Sequence, residues 1–504
     1  MEVRLVLSVV VMAIALTVFA AGMNPAATNE AAILRDMRRE TRELKLKVGY
    51  PGKFLEVPDG IAARRVQKYV RRAVDLRCVE GLWDVGQESV GYVEAESSTM
   101  PALFVGESKD EARNDDPLNF EQTTEMREIR PGVWRTPLPL ALRYIRFGGT
   151  PPSKVSFTEE IADVTDGVGF VGRTPREQKM YDVALRTLRL CMRDFLIDGV
   201  KRDRLPWAGD LSVSLLSNAY SFRDADIVRR TLTVLDSAGW RNGDINGSID
   251  YSLWWVVSHE LFQRHFGDRA FLEAEYDRIA GRLESFSRRE STDGLLTDAA
   301  LEDGKSWLFI DWTDDAHSTT ALNIIYYGAL QSGARLADIR GEAKDAKRWR
   351  TRAVRLKETL LARAWDEKRG LFRFDVLCPS KGHFTRHPNI YAAYFNLVDG
   401  ERLVAIGREL AADELPRVGT PYVSAYEALA LIRCGCMADA RKLVERIWGG
   451  MLDLGATTFW EGFDPSDRGL EHWEFYKRPF AKSLCHAWGS APVFLLRMFN
   501  GEIK

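Results

Sequence analysis

The chain has no CxxC pair and no Cys/His spacing of the kind that builds a zinc site. Its six cysteines, Cys78, Cys191, Cys378, Cys434, Cys436 and Cys485, are scattered, so the sequence by itself assigns no disulfide. It has no glycine-rich phosphate loop and no regular alternation of strand and helix patterns, which argues against a doubly wound nucleotide enzyme. No fixed-period repeat appears, which argues against a helical solenoid. Charge of one sign is missing too: the formal net charge is -2 over 504 residues. Nucleic acid and anionic lipid usually call for a basic excess, so a small and largely neutral ligand is the expected partner. Neither a metal nor a cofactor is called for by any motif.

What the chain does have is aromatic residues, with 14 Trp and 24 Phe, and a clear internal change of texture. Arg4 precedes an uncharged apolar run from Leu5 to Ala20, with small residues at Ala20, Ala21 and Gly22. That pattern predicts a signal peptide over residues 1–22 and a secreted or periplasmic protein, with an uncleaved membrane anchor as the alternative. Residues 23–77 read as a charged lead-in of unassigned role. From Cys78 to Ala162, short alternating segments such as Leu82–Val85, Val90–Ala95 and Ala141–Phe147 predict a small β-sandwich, with Glu107–Glu128 as a long connection inside it. After Asp163 the apolar period becomes 3.6, beginning with Tyr181, Leu185, Leu188 and Met192 and continuing to a last helix over Leu484–Met498. About a dozen helices in antiparallel hairpins close most economically into a ring, so the expected fold is mainly α, an (α/α)6 barrel over 163–504 behind the sandwich.

Three stretches carry the chemistry. The segment Asp198-Gly-Val-Lys-Arg-Asp203-Arg-Leu-Pro-Trp207-Ala-Gly-Asp210 puts three carboxylates, three cations and a tryptophan on a loop that Gly199, Pro206 and Gly209 keep from being helical. Glu461 stands between Trp460 and Phe463, where burial would raise an acid's pKa toward that of a useful base. His486 is one of only seven histidines. Asp250 with Trp254, and Asp311 with Trp312, pair acids with indoles at helix starts that a ring of helices would bring to one mouth. Two acids flanking a sugar, with tryptophans against its apolar faces, make a glycosidase site; in the inverting form the carboxyl groups stand roughly 6.5–9.5 Å apart.

In these motifs, their order and their spacing, the chain resembles the bacterial α-L-rhamnosidases of glycoside hydrolase family 78, inverting enzymes with an (α/α)6 barrel. The resemblance covers about residues 80 to 500. It rests on Asp84-Val-Gly-Gln-Glu-Ser-Val-Gly-Tyr92, Leu142-Arg-Tyr-Ile-Arg146, Arg202-Asp-Arg-Leu-Pro-Trp-Ala-Gly-Asp210, Gly455-Ala-Thr-Thr-Phe-Trp-Glu461 and His486. It implies Asp203 as general acid and Glu461 as general base. It also implies Asp198, Trp207, Asp210, Trp312 and His486 as sugar contacts, with Asp250 and Trp254 lining the same pocket; Arg202 and Trp460 complete the expected binding set. Two departures are visible: many relatives carry Glu at the position of Asp203, and the chain is expected to lack the family's further β-domains.

One local conflict follows from the residues. Arg202 and Arg204 flank Asp203 and would favour its ionised form, whereas a general acid must hold its proton. The expectation is that both cations turn away or bind substrate. Two alternatives stay open: another α/α-toroid hydrolase such as an unsaturated uronyl hydrolase, using Lys201, Arg202 or Arg204 for a substrate carboxylate, or a non-catalytic sugar-binding relative.

Overall fold

In a computed structural model, residues 67–503 are described apart from 117–118, 123, 238–242, 298–305, 314–316 and 382. The expected signal peptide and most of the lead-in lie outside the described residues. The described N-terminal part is one curled antiparallel sheet of eight strands: β1 Tyr69–Val74, β2 Arg77–Val79, β3 Leu82–Glu96, β4 Ala102–Gly106, β5 Arg127–Arg130, β6 Val133–Arg135, β7 Leu140–Gly148 and β8 Lys154–Ala162. The region expected to be a sandwich forms one hydrogen-bonded ladder that curls. The physical reason is β3: over its 15 residues it pairs in turn with β2 and β7, then with β8 and β6. A bulge between Asp84 and Ser89 bends it, with Gly86 at φ 90°. The sheet also starts before residue 78, because β1 in the supposed lead-in pairs along β8. The supposed connection Glu107–Glu128 contains a helix, α1 Lys109–Arg113, capped by the Ser108 side chain.

Alternation decides what each face of the sheet covers. Val93, Ala95, Leu142, Ile145 and Phe157 form the sheet's own core. Val90, Ala141 and Ile161 instead join Leu190, Cys191, Ile197, Val200 and Cys485 of the helical part. The sheet is therefore apolar on both sides where it meets the helices, and there it supports the loop 192–207.

The remainder is helical: α2 Pro175–Cys191, α3 Ala208–Ala219, α4 Ala225–Ser237, α5 Ile249–Phe266, α6 Arg269–Ser287, α7 Thr319–Arg340, α8 Ala343–Arg363, α9 Arg386–Tyr394, α10 Gly400–Ala412, α11 Pro421–Arg433, α12 Met437–Val444 and α13 Pro492–Asn500. Capping explains several boundaries: Thr174 and Thr420 accept hydrogen bonds from the first turns of α2 and α11, each with Pro at the first position. The helices α3, α5, α7, α9 and α11 pack each on the next, and α11 packs back on α3 and α13. Those members are buried nearly throughout, whereas α8 shows only a narrow stripe of Ala346, Trp349, Ala353, Leu356 and Leu360. The expected helix over Leu484–Met498 is shorter than its apolar pattern suggests. Leu484 and Cys485 are not helical, His486 is extended, and the α-helix begins only at Pro492.

A buried ion pair ties two of the inner helices together. Arg386 of α9, 1% exposed, donates to Glu427 of α11, to Asp413 at 2.6 Å and to the Leu410 carbonyl at 3.0 Å. Removing one partner of such a pair strands a charge in the interior. Arg386→Ala is therefore expected to lower stability by about 3–5 kcal/mol, read from the urea midpoint at constant slope; a loss of a few tenths would contradict the assigned burial.

Candidate active site

Residues some 250 positions apart meet through main-chain hydrogen bonds. The Val200 N–H donates to Cys485 O at 3.2 Å and the Ala487 N–H to Asp198 O at 2.6 Å, while Gly199 faces His486 across the pair. His486 N–H in turn donates to Phe459 O, and Glu461 N–H to Ser483 O, both at 2.9 Å. Three extended segments thus lie side by side and set the loop's carboxylates next to Glu461. The approach at Gly199 is close, since a Cβ there would sit 3.2 Å from the Ser483 hydroxyl and 3.3 Å from the His486 ring, tighter than most such contacts.

Asp198 clasps its own loop: its N–H donates to Leu205 O and its carboxylate accepts the Leu205 N–H, both at 2.9 Å. Inside the clasp, Asp203 and Arg204 both have φ of 54°, a left-handed conformation that non-glycine residues adopt at a cost of about 1–3 kcal/mol each. Arg204 points away as expected, donating to Val200 O, Pro139 O and Gln122. Arg202 does not. Its guanidinium donates to Ala481 O at 3.1 Å and to the Glu461 carboxylate, and its other terminal nitrogen lies 3.7 Å from Asp203. Of the two expected placements, turning away or binding substrate, Arg202 does not take the first: one guanidinium spans the gap between the two candidate catalytic carboxylates. The rings of Tyr476 and Phe475 cover its face at 4.6 and 5.6 Å. Those two rings also line an open recess of about 620 Å³ with Ser466, Asp467, Glu471 and Lys477.

Burial separates the acids. Asp203 keeps 16% of its side-chain surface, against 3% for Glu461, so it is the one solvent reaches. Burial pushes the Asp198 carboxyl well above its usual range, and the neighbouring Asp203 and Asp210 push it further. Burial also raises Asp210 to about 8, against the pull of its hydrogen bond from the Tyr251 hydroxyl at 3.0 Å. That bond depends on Gly209, where a Cβ would lie 2.3 Å from the Tyr251 ring. His486, with Nε2 3.8 Å from Asp210, is pushed well below its usual value by burial and by Arg202, so it stays neutral.

Aromatic rings wall this group. Trp207 meets Tyr251 at 5.9 Å and Trp307 at 6.2 Å; Phe309 meets Trp312 at 4.9 Å; His486 meets Trp488 at 3.9 Å. Trp207, Trp307 and Trp312 are only partly buried. Buried polar atoms without a protein partner include Trp312 Nε1, His486 Nδ1 and the Tyr422 hydroxyl. Stranded hydrogen-bonding groups among part-exposed indoles suit a ligand that is both apolar-faced and rich in hydroxyls.

Three expected binding residues are held in the packing. Asp250 is fully buried, accepting from Ser248 at 2.6 Å and from the Phe309 and Ile310 N–H groups at 3.0 and 3.3 Å; it fixes the loop behind the aromatic wall. Trp254 is fully buried in the centre of the helices, stacked on Tyr426 at 4.8 Å. Trp460 is 3% exposed, between Trp473 and Phe463. In each case the residue type was right for a site, but packing absorbed it. Tyr251, Trp307, Phe309 and Tyr476 were not expected; the first three occur in aromatic clusters that a pattern search finds, while Tyr476 carries no local signal.

The arrangement defines a class: carboxylates of unequal exposure set among aromatic rings on loops between packed elements. Residues 170–498 match the model of the bacterial α-L-rhamnosidase six-hairpin glycosidase domain. The chain belongs to this family and is a glycosidase with a carbohydrate substrate. None of the curated proteins matches it in sequence. Among solved structures it is similar to a rhamnosidase from Klebsiella oxytoca with rhamnose bound, at TM-score 0.72 and 22% identity over 86% of this chain and 96% of that one. It is also similar to the GH78 rhamnosidase of Bacillus sp. GL1, at TM-score 0.69 and 20% identity over 84% of this chain and 47% of that one. A Streptomyces avermitilis α-L-rhamnosidase complexed with L-rhamnose matches at TM-score 0.65 and 17% identity, over 86% of this chain and 44% of that one. The chain thus spans nearly all of the first structure and about half of the other two.

The raised Asp210 gives a pH prediction. Between the unfolded value near 4 and the folded value of about 8 the native state holds a proton that the unfolded chain has lost, so this group's contribution to stability falls as pH rises. Asp210→Asn is expected to flatten the fall in Tm between those two pH values; an unchanged slope would contradict the assignment.

Proposed function

We propose that this glycosidase removes terminal α-L-rhamnosyl groups, or those of a closely related deoxy-sugar, by single displacement with inversion in an (α/α)6 barrel. The barrel reading is supported by the succession of helix contacts from α3 through α5, α7 and α9 to α11, which packs back on α3 and α13. The observation that carries the mechanism is the Arg202 bridge between Glu461 and Asp203, which brings two carboxylates of unequal exposure to one gap. Asp203 protonates the leaving oxygen and Glu461 activates water from the other side of the sugar. Arg202, held by Ala481 O as well as by Glu461, orients the base until water enters. Asp198, Asp210 and His486 hold the sugar's hydroxyls, and Trp207 and Trp312 its apolar faces. The apolar run Leu5–Ala20 supports activity outside the cytoplasm.

The uronyl hydrolase reading loses its cations. Lys201 is committed to Glu111 and to Phe480 O, Arg202 to Glu461, and Arg204 to main-chain carbonyls. A second assignment of the acid has one observation in its favour. Asp210 keeps its proton to about pH 8, whereas Arg202 approaches Asp203. Against it, Asp210 is only 4% exposed and already holds Tyr251.

Leaving-group dependence separates these roles. Glu461→Gln is expected to lower kcat on every rhamnoside by 100-fold or more, of the order that general-base catalysis supplies. Asp203→Asn should spare p-nitrophenyl α-L-rhamnoside while abolishing turnover of alkyl rhamnosides. If Asp210→Asn shows that selective pattern and Asp203→Asn does not, the acid is Asp210.

A further inference from the structure

We propose that Lys201, held by Glu107 and Glu111 of the sheet region, is a positioning residue for both catalytic carboxylates; the inference rests on the rhamnosidase reading above. Lys201 is 3% exposed, and its ammonium lies 3.1 Å from Glu107 and 3.2 Å from Glu111 and donates to Phe480 O at 2.7 Å. Glu107 does more than pair with it: its carboxylate accepts the Leu484 N–H at 2.6 Å. Glu111 folds back to accept the Glu107 N–H at 3.0 Å, which closes the unit.

Both ends of this unit lead directly to the site. Lys201 is the residue before Arg202, whose guanidinium touches Glu461 and approaches Asp203. Leu484 follows Ser483, whose N–H donates to the Glu461 carboxylate at 3.1 Å and whose carbonyl accepts the Glu461 N–H. One buried ion cluster therefore fixes the neighbours of the acid and of the base at once, from an element that holds neither.

Energetics favour a geometric role over a stabilising one. A buried ion cluster is a weak source of stability, because the cost of desolvating its charges offsets most of their attraction. Here burial raises both Glu107 and Glu111, the latter to about 7. Burial alone would depress Lys201, but the two glutamates outweigh it and raise it. Glu88 stands close by with neither carboxyl oxygen hydrogen-bonded to protein, raised well above its usual range by burial and then by Glu107. Apolar residues would fill this joint at less cost, but they would not direct a lysine and a main-chain N–H to fixed places.

The test uses the full chain and two substrates, p-nitrophenyl and methyl α-L-rhamnoside. Lys201→Met and Glu107→Gln are each expected to lower kcat on the nitrophenyl substrate by about 100-fold, the effect of a misplacement near 1 Å, with KM little changed. The loss should be larger on the methyl glycoside, since a displaced acid matters more for a poor leaving group. Lys201→Arg should restore part of kcat, and the double variant should lose no more than the worse single one. If Lys201→Met does not fold, Glu107→Gln, which keeps the side chain's shape, decides the matter. A folded Glu107→Gln protein with unchanged kcat overturns the positioning role, as does an equal loss on both substrates that follows only the folded fraction. If the wild-type chain releases no rhamnose from either substrate, the rhamnosidase reading itself fails, and the positioning role with it.

Discussion

The guanidinium of Arg202 is the contact on which the site turns. Two carboxylates cannot share a buried gap without a cation or a proton between them, and Arg202 supplies the cation to Glu461 while lying within ion-pair range of Asp203. Everything nearby constrains that side chain. Ala481 O takes its Nε–H, Tyr476 and Phe475 cover its face, and the clasped loop with its left-handed residues sets where its backbone emerges. Arginine suits this position because its flat fork serves two acceptors at once, which a lysine ammonium does not do in fixed geometry.

The electrostatics divide the carboxylates into two kinds. Asp198 and Asp210 are buried, raised and hydrogen-bonded to groups of the protein, so at neutral pH they are hydrogen-bonding fixtures. Glu461 is equally buried but carries a cation, and Asp203 is the more exposed partner. The left-handed turn at Asp203 and Arg204 sets where the Asp203 side chain leaves the loop.

Much of this was legible in the sequence. The helical period, the Gly and Pro breaks around Asp198–Asp210 and the acid at Glu461 marked two segments that the fold brings together, because spacing and residue type are local properties. What could not be read is three-dimensional compensation. Arg202 faces inward because Glu461 and Ala481 O are there to receive it, a fact about a segment some 260 residues away. Trp254 and Trp460 have the chemistry of sugar platforms, but burial in aromatic clusters spends it on packing. Alternation marks the strands but not their pairing, because β3 changes partners midway. Glu107 and Glu111 sat in a stretch that read as a polar connection, and only the fold brings them to Lys201.

The central claim is that Asp203 and Glu461 act from opposite faces of the sugar in one displacement. The stereochemistry of the product tests this directly, because an inverting pair and a retaining pair give different anomers. Proton NMR of the first sugar released from p-nitrophenyl α-L-rhamnoside, recorded before mutarotation, should show β-L-rhamnose; α-L-rhamnose as the first product would contradict the account.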